Sequence, residues 1–517
     1  MVVKSRVLKN VYRDSIALMR IASAISQRTG VARAEVLMAT PANLEALHQG
    51  ALFTPEMAGA SASDIAIVVE AVSDDVVLDV LGSVDDMLRM ESVAETGGSD
   101  GTFSLPAAIE QRPDANLALL SIPGLFVKRE AMRALERGLN LLIFSDNVPL
   151  EDEIELKRQA EARGLLVMGP DCGTALIGGV ALGFANRVRR GSIGIVAASG
   201  TGLQEVSCLL DRAGLGVSHG IGTGTNDVKA AVGGVSLLRG LRLLEADADT
   251  DIIVIVTKPP DGVVAAKILA EIKKVRKRVI VNFLGGDVAT ITAAGATPAV
   301  TLEDAARLAV EAAGGIYSPA VGDWSQLPGE MGRLAPTQRY VRGVFSGGTL
   351  AAEAALVLAE QFGEVYTNTS LTQARRMPDA RRSLQHTCVD LGDDEFTRGR
   401  PHPMLEPAMR HQRILQEAED PETAVLLLDV VLGYGIHPYP ARVLAETLRE
   451  ARERVAKAGH YLPVVASVCG TEGDPQSCAK QAAALRQAGA LVFCSNAQSA
   501  RAAAAIAQRR VEGWGPP

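Results

Sequence analysis

Long aliphatic runs that stop at small or polar turns constrain this chain more than any other feature. Ile252-Ile253-Val254-Ile255-Val256-Thr257 halts at Lys258-Pro259-Pro260, and Ala424-Val425-Leu426-Leu427-Leu428-Asp429-Val430-Val431 halts at Leu432-Gly433-Tyr434-Gly435. A helical stretch follows each such run. Strands apolar on both faces must be covered on both faces, and strands alternating with helices pair in parallel. Parallel sheets of this kind receive ligands outside the carboxyl ends of their strands. Hydrophobic residues make up 47% of the chain and aromatic residues only 4%, so Ala, Val, Leu and Gly must build the cores. That balance suits Ala-rich helices packed closely on Val/Ile/Leu strands.

The chain has 517 residues, which at roughly 100–200 residues per domain suggests three or four domains. Residues 1–100 read as a small α/β module with a ferredoxin-like strand–helix rhythm, and the Gly/Ser-rich run 95–101 reads as a linker. A parallel-sheet pattern of nucleotide-fold type fills 101–190, with strands at 116–122, 140–144 and 164–168. The pattern repeats over 191–316. A loose, proline-bearing stretch at 317–337 separates it from a third sheet in 338–517. The expected fold class is α/β, with several Rossmann- or flavodoxin-like domains.

The net charge of −8 gives no basic field for nucleic acid. No apolar run reaches the roughly 18 residues that would span a bilayer, and the first residues do not read as a secretory signal. Six scattered cysteines form no Cys-x-x-Cys pair. They point to a reduced, cytoplasmic setting and to neither a zinc site nor a disulfide framework.

Two turns carry the chemistry. The run Gly194–Ala198 stops at Ser199-Gly200-Thr201, and the run Arg342–Phe345 stops at Ser346-Gly347-Gly348-Thr349. An Ala/Leu-rich helix starts at once in both cases. The first N–H groups of a helix have no intrahelical partner, and they point outward with the positive end of the helix dipole. Glycine lets a ligand approach the backbone, so phosphate or carboxylate is the expected occupant. Ser199, Thr201, Ser346 and Thr349 add hydroxyls. Neither turn is a Walker P-loop. A plain helix N-cap is the alternative for either turn alone.

Other strand ends supply further candidates. Asn147 and Asp171 end strands on the rim of the 101–190 sheet, and Gly222, Thr223, Asn226 and Asp227 follow the strand after the first cradle. For Asn226 and Asp227, an Asx-turn or helix cap is an equal alternative to a ligand role. His437 and His219 are candidate acid–base groups. Cys172 reads as packing. Pro41-Ala42-Asn43 follows a strand in the N-terminal module. The cluster Asp393-Asp394-Glu395 with Arg398, Arg400 and His402 leaves open a divalent-cation site or a solvated, ion-paired loop; no metal ligands are assigned.

Gly194-Ile195-Val196 through Ser199-Gly200-Thr201, with Gly220-Ile221-Gly222, resembles the ligase domain of the succinyl-CoA synthetase α subunit. Gly169-Pro170-Asp171-Cys172 is similar to that subunit's Gly-Pro-Asn-Cys turn. Phe345-Ser346-Gly347-Gly348 resembles the phosphate-binding turn in the carboxyl domain of the β subunit. The order of parts, with the stretches 393–403 and 428–435, resembles the FdrA family. Four features of the synthetase are missing. Residues 289–296, Ala-Thr-Ile-Thr-Ala-Ala-Gly-Ala, lack the histidine that carries phosphate. Lys258 stands where a supporting glutamate would be, and there is no ATP-grasp domain. The glycine-rich opening turn of a CoA domain is also missing, which weighs against CoA.

The resemblance implies a subunit of a carbamoyltransferase. Such an enzyme interconverts oxalurate plus phosphate with oxamate plus carbamoyl phosphate, in anaerobic allantoin breakdown. The expected ligands are phosphate, carbamoyl phosphate and a small anionic substrate, with Lys258 adding positive charge. A homo-oligomer or a complex with other carbamoyltransferase subunits is expected. A histidine-free acyl-CoA synthetase and a non-catalytic anion-binding scaffold remain as alternatives.

Overall fold

The computed structural model describes residues 1–11, 13, 15–26, 28–40, 43–44, 47–48, 52–96, 104–319, 322–397 and 401–510. Pro41, Ala42, Arg398, Arg400 and the linker residues 97–101 lie outside the described residues. The chain divides into two compact units, 1–113 with 394–401, and 114–393 with 402–517.

In the first unit, β1 (Val2–Leu8), β2 (Val31–Met38) and β3 (Ile65–Ala71) form an antiparallel sheet in the order β1-β3-β2. Helices Ser15–Ser26 and Asp74–Thr96 follow β1 and β3, giving the expected ferredoxin-like rhythm, with no fourth strand among the described residues. One apolar cluster joins Ile65, Ile67 and Val69 to Leu18, Val77 and Val84, and a second sets Ala66 and Val68 against Leu52 and Met57. Residues of β3 therefore pack on both faces, which explains its unbroken apolar run. Asn43, a sequence candidate, donates its side-chain amide to the Met38 carbonyl at 2.8 Å and serves the local turn.

The second unit holds three sheets. The strands β4 (Leu117–Leu120), β5 (Asn140–Ile143) and β6 (Val167–Met168) are parallel, in that order. The hairpin β7 (Thr174–Ile177) and β8 (Val180–Gly183) leaves this sheet and extends the next one. That next sheet also contains β9 (Ile193–Ala198), β10 (Val217–Gly222), β11 (Ile252–Thr257), β12 (Arg278–Phe283) and β13 (Thr297–Pro298). Its seven strands run β13-β12-β11-β9-β10-β7-β8.

The third sheet is parallel throughout and also has seven strands, in the order β16-β15-β17-β14-β18-β19-β20. They are β14 (Tyr340–Phe345), β15 (Tyr366–Thr367), β16 (Arg375–Arg376), β17 (Thr387–Asp390), β18 (Thr423–Val431), β19 (Val464–Cys469) and β20 (Leu491–Phe493). The stretch read as a loose linker contains a short helix, Leu327–Met331, whose Leu327 and Met331 are buried in the main core.

The helices Gly200–Arg212, Leu302–Ala312, Gly348–Phe362 and Asn496–Gln508 share one core cluster with strands of both seven-stranded sheets. Ala500 and Ala502 to Ala505 are all fully buried there. Alanine at these positions lets helix backbones approach closely, as the low aromatic content required. In each large sheet the strand order reverses direction at one strand, β9 or β14, and both cradles follow those strands. The switch point of an open α/β sheet is where its ligand crevice forms.

Candidate functional site at the meeting of two helix N-termini

The two cradles face one another. Ser199 caps the Gly200–Arg212 helix by accepting the Gly202 N–H at 2.9 Å, and its hydroxyl lies 2.5 Å from the Thr349 hydroxyl of the other cradle. Thr349 N–H donates to Thr201 Oγ1 at 3.3 Å. A Cβ placed on Gly347 would lie 3.0 Å from Thr201 Cγ2. The two positive helix ends are thus held mouth to mouth.

Further bonds tie the two large sheets together. Asn186 donates its side-chain amide to the Leu432 carbonyl and to Asp474, each at 2.8 Å. Arg212 donates to the Gly470 and Val468 carbonyls at 3.0 and 2.7 Å.

The second cradle already holds an anion, and it belongs to the chain. Asp429, fully buried on β18, accepts the Ser346 N–H at 2.9 Å and the Gly347 N–H at 2.8 Å. It also accepts the Ser346 hydroxyl at 3.1 Å and pairs with Arg410 at 2.7 Å. This corrects the expectation that Ser346 and Gly347 offer their donors to phosphate. The N–H groups of Gly200, Thr201 and Gly348 keep no partner among the described residues and remain the donors available to a ligand.

A second set of charges gathers at Gly348. A Cβ there would collide with Asp390 Oδ2 and lie 3.2 Å from Lys258 Nζ. Lys258 extends from the end of β11 in the first large sheet, and Asp390 ends β17 in the other. The ammonium forms no ion pair among the described residues. Burial pushes the Asp390 carboxyl up to about 6, although Lys258 and the Gly392 N–H, which donates to it at 2.8 Å, oppose that shift. His402 stands on the far side of Gly392, whose Cβ would lie 2.6 Å from His402 Nε2 and 3.1 Å from Asp390 Oδ1. His402 Nδ1 accepts the Met404 N–H at 3.2 Å, which assigns the proton of the neutral ring to Nε2. Burial holds this imidazole down at about 4.

Of the expected site residues, the structure brings together Ser199, Gly200, Thr201, Ser346, Gly347, Gly348, Thr349 and Lys258. His437 lines a neighbouring crevice with Ser346 and Arg410. Its Nδ1 accepts the Tyr439 N–H at 3.0 Å, and burial together with Arg442 lowers its basicity.

His219 must be corrected. It pairs with Ile177 on β7 and accepts the Gly178 N–H at 3.1 Å. Its other nitrogen lies 3.9 Å from Asp247, in the turn before β11. That is the amino end of the sheet, the rim opposite the cradles.

Four substrate-binding candidates are structural. Asp227 is fully buried, accepts Lys157 Nζ at 2.9 Å and holds the N–H groups of Ser236 and Leu237 at 3.1 and 2.8 Å. Asn226 donates to Glu153 at 3.1 Å, and Glu153 pairs with Lys157 at 2.8 Å. Thr223 spends its N–H on the Ala197 carbonyl and its own carbonyl on Lys157. A Cβ on Gly222 would strike the Thr174 carbonyl and Cys172 Sγ. This buried charged triad clamps the helix Leu150–Ala162 to the first large sheet. Cys172 belongs to the core there, with its thiol pushed up to about 12 by burial.

Asn147 and Asp171 are exposed, on adjoining turns of the β4-β5-β6 rim, where Asp171 N–H donates to the Ser145 carbonyl at 3.0 Å. A Cβ on Gly124 would strike the carbonyls of Asn147 and Asp146.

Sequence reasoning missed Asp429, Arg410 and Asp390. One signal was available: Asp429 interrupts the aliphatic run 424–431, and a carboxylate inside a buried strand requires a partner. Among the described residues, no group of three or more His, Cys, Asp or Glu is placed to hold a metal. None of their helices is long and apolar enough to cross a membrane.

The third sheet and its cradle define a CoA-ligase domain: the family model of that description matches residues 344–506. The relatives place the whole chain. It belongs to the family of YahF from Escherichia coli (strain K12), to which it is 40% identical over 506 residues, 96% of this chain and 97% of YahF. Residues 1–103 match the AllF heavy metal-associated domain. The first cysteine of this chain is Cys172 and the only histidine before it is His48, so this module does not fit a thiolate-bound metal. A succinate–CoA ligase α subunit of Archaeoglobus fulgidus is 29% identical over 167 residues, 31% of this chain and 57% of that subunit. The sulfoacetate-CoA ligase subunit SauD of Bilophila wadsworthia is 29% identical over 160 residues, 30% of this chain and 53% of that subunit.

Proposed function

We propose that this protein is an FdrA-like subunit of a carbamoyltransferase that moves a carbamoyl group between phosphate and a small carboxylate-bearing amide. Oxamate and oxalurate are the expected pair. The observation that carries the reading is the mouth-to-mouth pair of helix N-termini, with Lys258 at its edge and no phosphate-carrying histidine in residues 289–296. A fixed anion clamp suits an acyl phosphate used in place, whereas a phosphohistidine relay needs a nucleophile that can shuttle. The AllF-type module at residues 1–103 supports a link to allantoin breakdown.

In the forward direction the amide nitrogen of oxamate attacks the carbamoyl carbon. A C–N bond forms, the C–O bond to phosphate breaks, and the electron pair leaves on the phosphate oxygen. The N–H groups of Gly200, Thr201 and Gly348, with Lys258, stabilise that charge as it develops. The nitrogen's proton passes to Asp390, whose carboxyl, raised to about 6, exchanges protons near neutrality. In reverse, a phosphate oxygen attacks the ureido carbon of oxalurate, and protonated Asp390 returns the proton to the leaving nitrogen. The active form is expected to be a homo-oligomer or a complex with other carbamoyltransferase subunits.

The test is a thermal-shift panel with phosphate, carbamoyl phosphate, oxamate, CoA and ATP, followed by oxalurate phosphorolysis with partner subunits supplied. Phosphate and carbamoyl phosphate should raise the melting temperature, and Lys258→Met should abolish the rise. No shift with either ligand, together with no turnover, sinks the proposal.

A second reading, an acid–thiol ligase, is favoured by the CoA-ligase match over residues 344–506. Calorimetry with CoA and acyl-CoA decides.

A further inference from the structure

Asp390 joins two parts of the site. Its Oδ2 meets Lys258 Nζ at Gly348, and its Oδ1 meets His402 Nε2 at Gly392. The point where a Gly392 Cβ would stand is 3.1 Å from Oδ1 and 2.6 Å from Nε2. The carboxyl and the imidazole therefore flank the same face of Gly392, and glycine keeps that face clear of a side chain.

Three polar atoms along this line are unspent. Lys258 Nζ, Asp390 Oδ2 and His402 Nε2 make no hydrogen bond among the described residues, and none of them is fully enclosed. Each therefore reaches open space. The atoms behind them are tied down. Asp390 Oδ1 accepts the Gly392 N–H at 2.8 Å, and His402 Nδ1 accepts the Met404 N–H at 3.2 Å. The His402 ring leans on Phe184, with ring centres 6.0 Å apart, and Phe184 leans on Phe144 at 5.0 Å. The imidazole is held in one orientation, with its proton on the free nitrogen.

The charge state of His402 fixes its use. Burial holds the ring down at about 4, so near neutrality it is an uncharged donor. On the transfer reading Asp390 already takes the proton. The Gly200, Thr201 and Gly348 N–H groups and Lys258 serve the phosphate, which leaves the carbonyl oxygen of the transferred group without a donor. That oxygen shares its carbon with the attacking nitrogen, so its charge develops within a few bonds of the proton acceptor. A fixed donor beside Asp390 stands where that charge appears.

We infer that His402 is a further catalytic residue, whose Nε2–H donates to the carbonyl oxygen of the carbamoyl group during transfer. The role rests on the transfer reading above. As the nitrogen–carbon bond forms, the carbonyl π pair moves onto the oxygen. As the bond from carbon to the phosphate oxygen breaks, that pair re-forms the carbonyl and the phosphate leaves with the bonding pair. The nitrogen's proton goes to Asp390, and His402 keeps its own throughout.

The experiment uses the full-length protein, with partner subunits supplied for turnover. Calorimetry compares phosphonoacetamide, which keeps the carbonyl and replaces the bridging oxygen of carbamoyl phosphate by a methylene, with isobutylphosphonate, which has the same shape and no carbonyl. The parent should bind the first about tenfold more tightly, as one hydrogen bond warrants. His402→Phe keeps a ring against Phe184 and removes both nitrogens. It should lose the preference and still bind isobutylphosphonate; His402→Leu serves in its place should it not fold. In oxalurate phosphorolysis the same variant should lower kcat by about 10²–10³ and leave the KM for phosphate unchanged. His402→Gln, which keeps an uncharged donor, should recover part of both losses, whereas a role in the turn alone would not follow the donor. No preference in the parent, a preference kept without the imidazole, or a kcat within about threefold of the parent overturns the assignment and leaves the transfer reading standing. A preference lost in the variant with no turnover in the parent overturns the transfer reading and the catalytic role together. Binding of neither phosphonate removes the clamp and His402 with it.

Discussion

Replacing Asp429 with alanine tests the central feature of the site, a cradle filled from within. The carboxylate is fully buried, and it accepts two backbone N–H groups, one hydroxyl and one guanidinium at 2.7–3.1 Å. Asp429→Ala strands Arg410 as an uncompensated buried cation and leaves the Ser346 and Gly347 N–H groups without their acceptor. Breaking one side of a buried pair costs about 3–5 kcal/mol. For a folding unit of the third sheet's size, each kcal/mol is worth about 2–4 °C, so the melting temperature should fall by about 6–20 °C.

The same change vacates an anion site of known shape. Formate or acetate should re-enter it and restore stability by mass action, by about 2.7 kcal/mol at a hundredfold excess over Kd. The assay is scanning calorimetry of parent and variant in chloride and in formate at matched ionic strength. A loss below about 2 °C shows that the carboxylate does not hold the cradle, since that is under one kcal/mol on the same scale. An equal formate response in parent and variant shows that the cradle was never occupied.

Three further outcomes follow from the same geometry. Asp390 holds its proton more tightly in the fold than in the unfolded chain, between the ordinary carboxylate value of 3.8 and about 6. Stability therefore falls as pH rises through that window, by on the order of 3 kcal/mol, and Asp390→Asn should stabilise at pH 7.5 but not near pH 3.5; calorimetry at the two values measures it. Lys157→Met leaves Glu153 and Asp227 as buried carboxylates without their cation, and should destabilise by about 3–5 kcal/mol in urea unfolding, without altering the phosphate shift of any protein that still folds. His219→Gln should leave both phosphate binding and turnover unchanged, because its ring lies at the amino rim; a loss of either above about tenfold, 1.4 kcal/mol, would place the residue at the site after all.

The fold was legible because buried parallel strands advertise themselves. Continuous aliphatic runs such as 252–257 and 424–431 can be covered only from both sides, and both large sheets contain them. The hairpin Thr174–Gly183 was less legible. Its short strands carry no long apolar run, and only pairing with β10 shows which sheet it extends. The cradles were legible as turns and not as occupied turns, since nothing local to Ser346-Gly347 reveals a carboxylate 82 residues away. Asn226 and Asp227 failed for a related reason. A polar residue at a strand's carboxyl end serves a ligand or an internal cation equally well, and the deciding partner, Lys157, sits in a different segment. His219 failed because a strand's direction gives its rim only once the register is known, and Gly220 pairs with Ile195 midway along β9.

What replaces the missing histidine explains the rest of the site. A relay needs a group that is charged at one station and carried to another, so its surroundings must tolerate motion. Here every group at the meeting of the cradles is tied down. Ser199 and Thr349 hold each other, Asp429 is held by four donors, and the Asp390 carboxylate is bonded by the Gly392 N–H. Lys258 is the exception, a cation beside two helix N-termini with no ion-pair partner among the described residues. A cation placed beside positive helix ends is unfavourable unless an anion joins them. Asp390 and Asp429 offset part of that positive charge; on the transfer reading, a ligand with negative charge offsets the rest, and its binding is favoured by the same amount. The arrangement has a direct consequence for Lys258→Met: the variant should be at least as stable as the parent in chloride, and less stable than the parent in saturating phosphate. Parallel melts in the two anions decide it. A variant less stable in both would show that Lys258 is bound within the fold and does not wait for an anion.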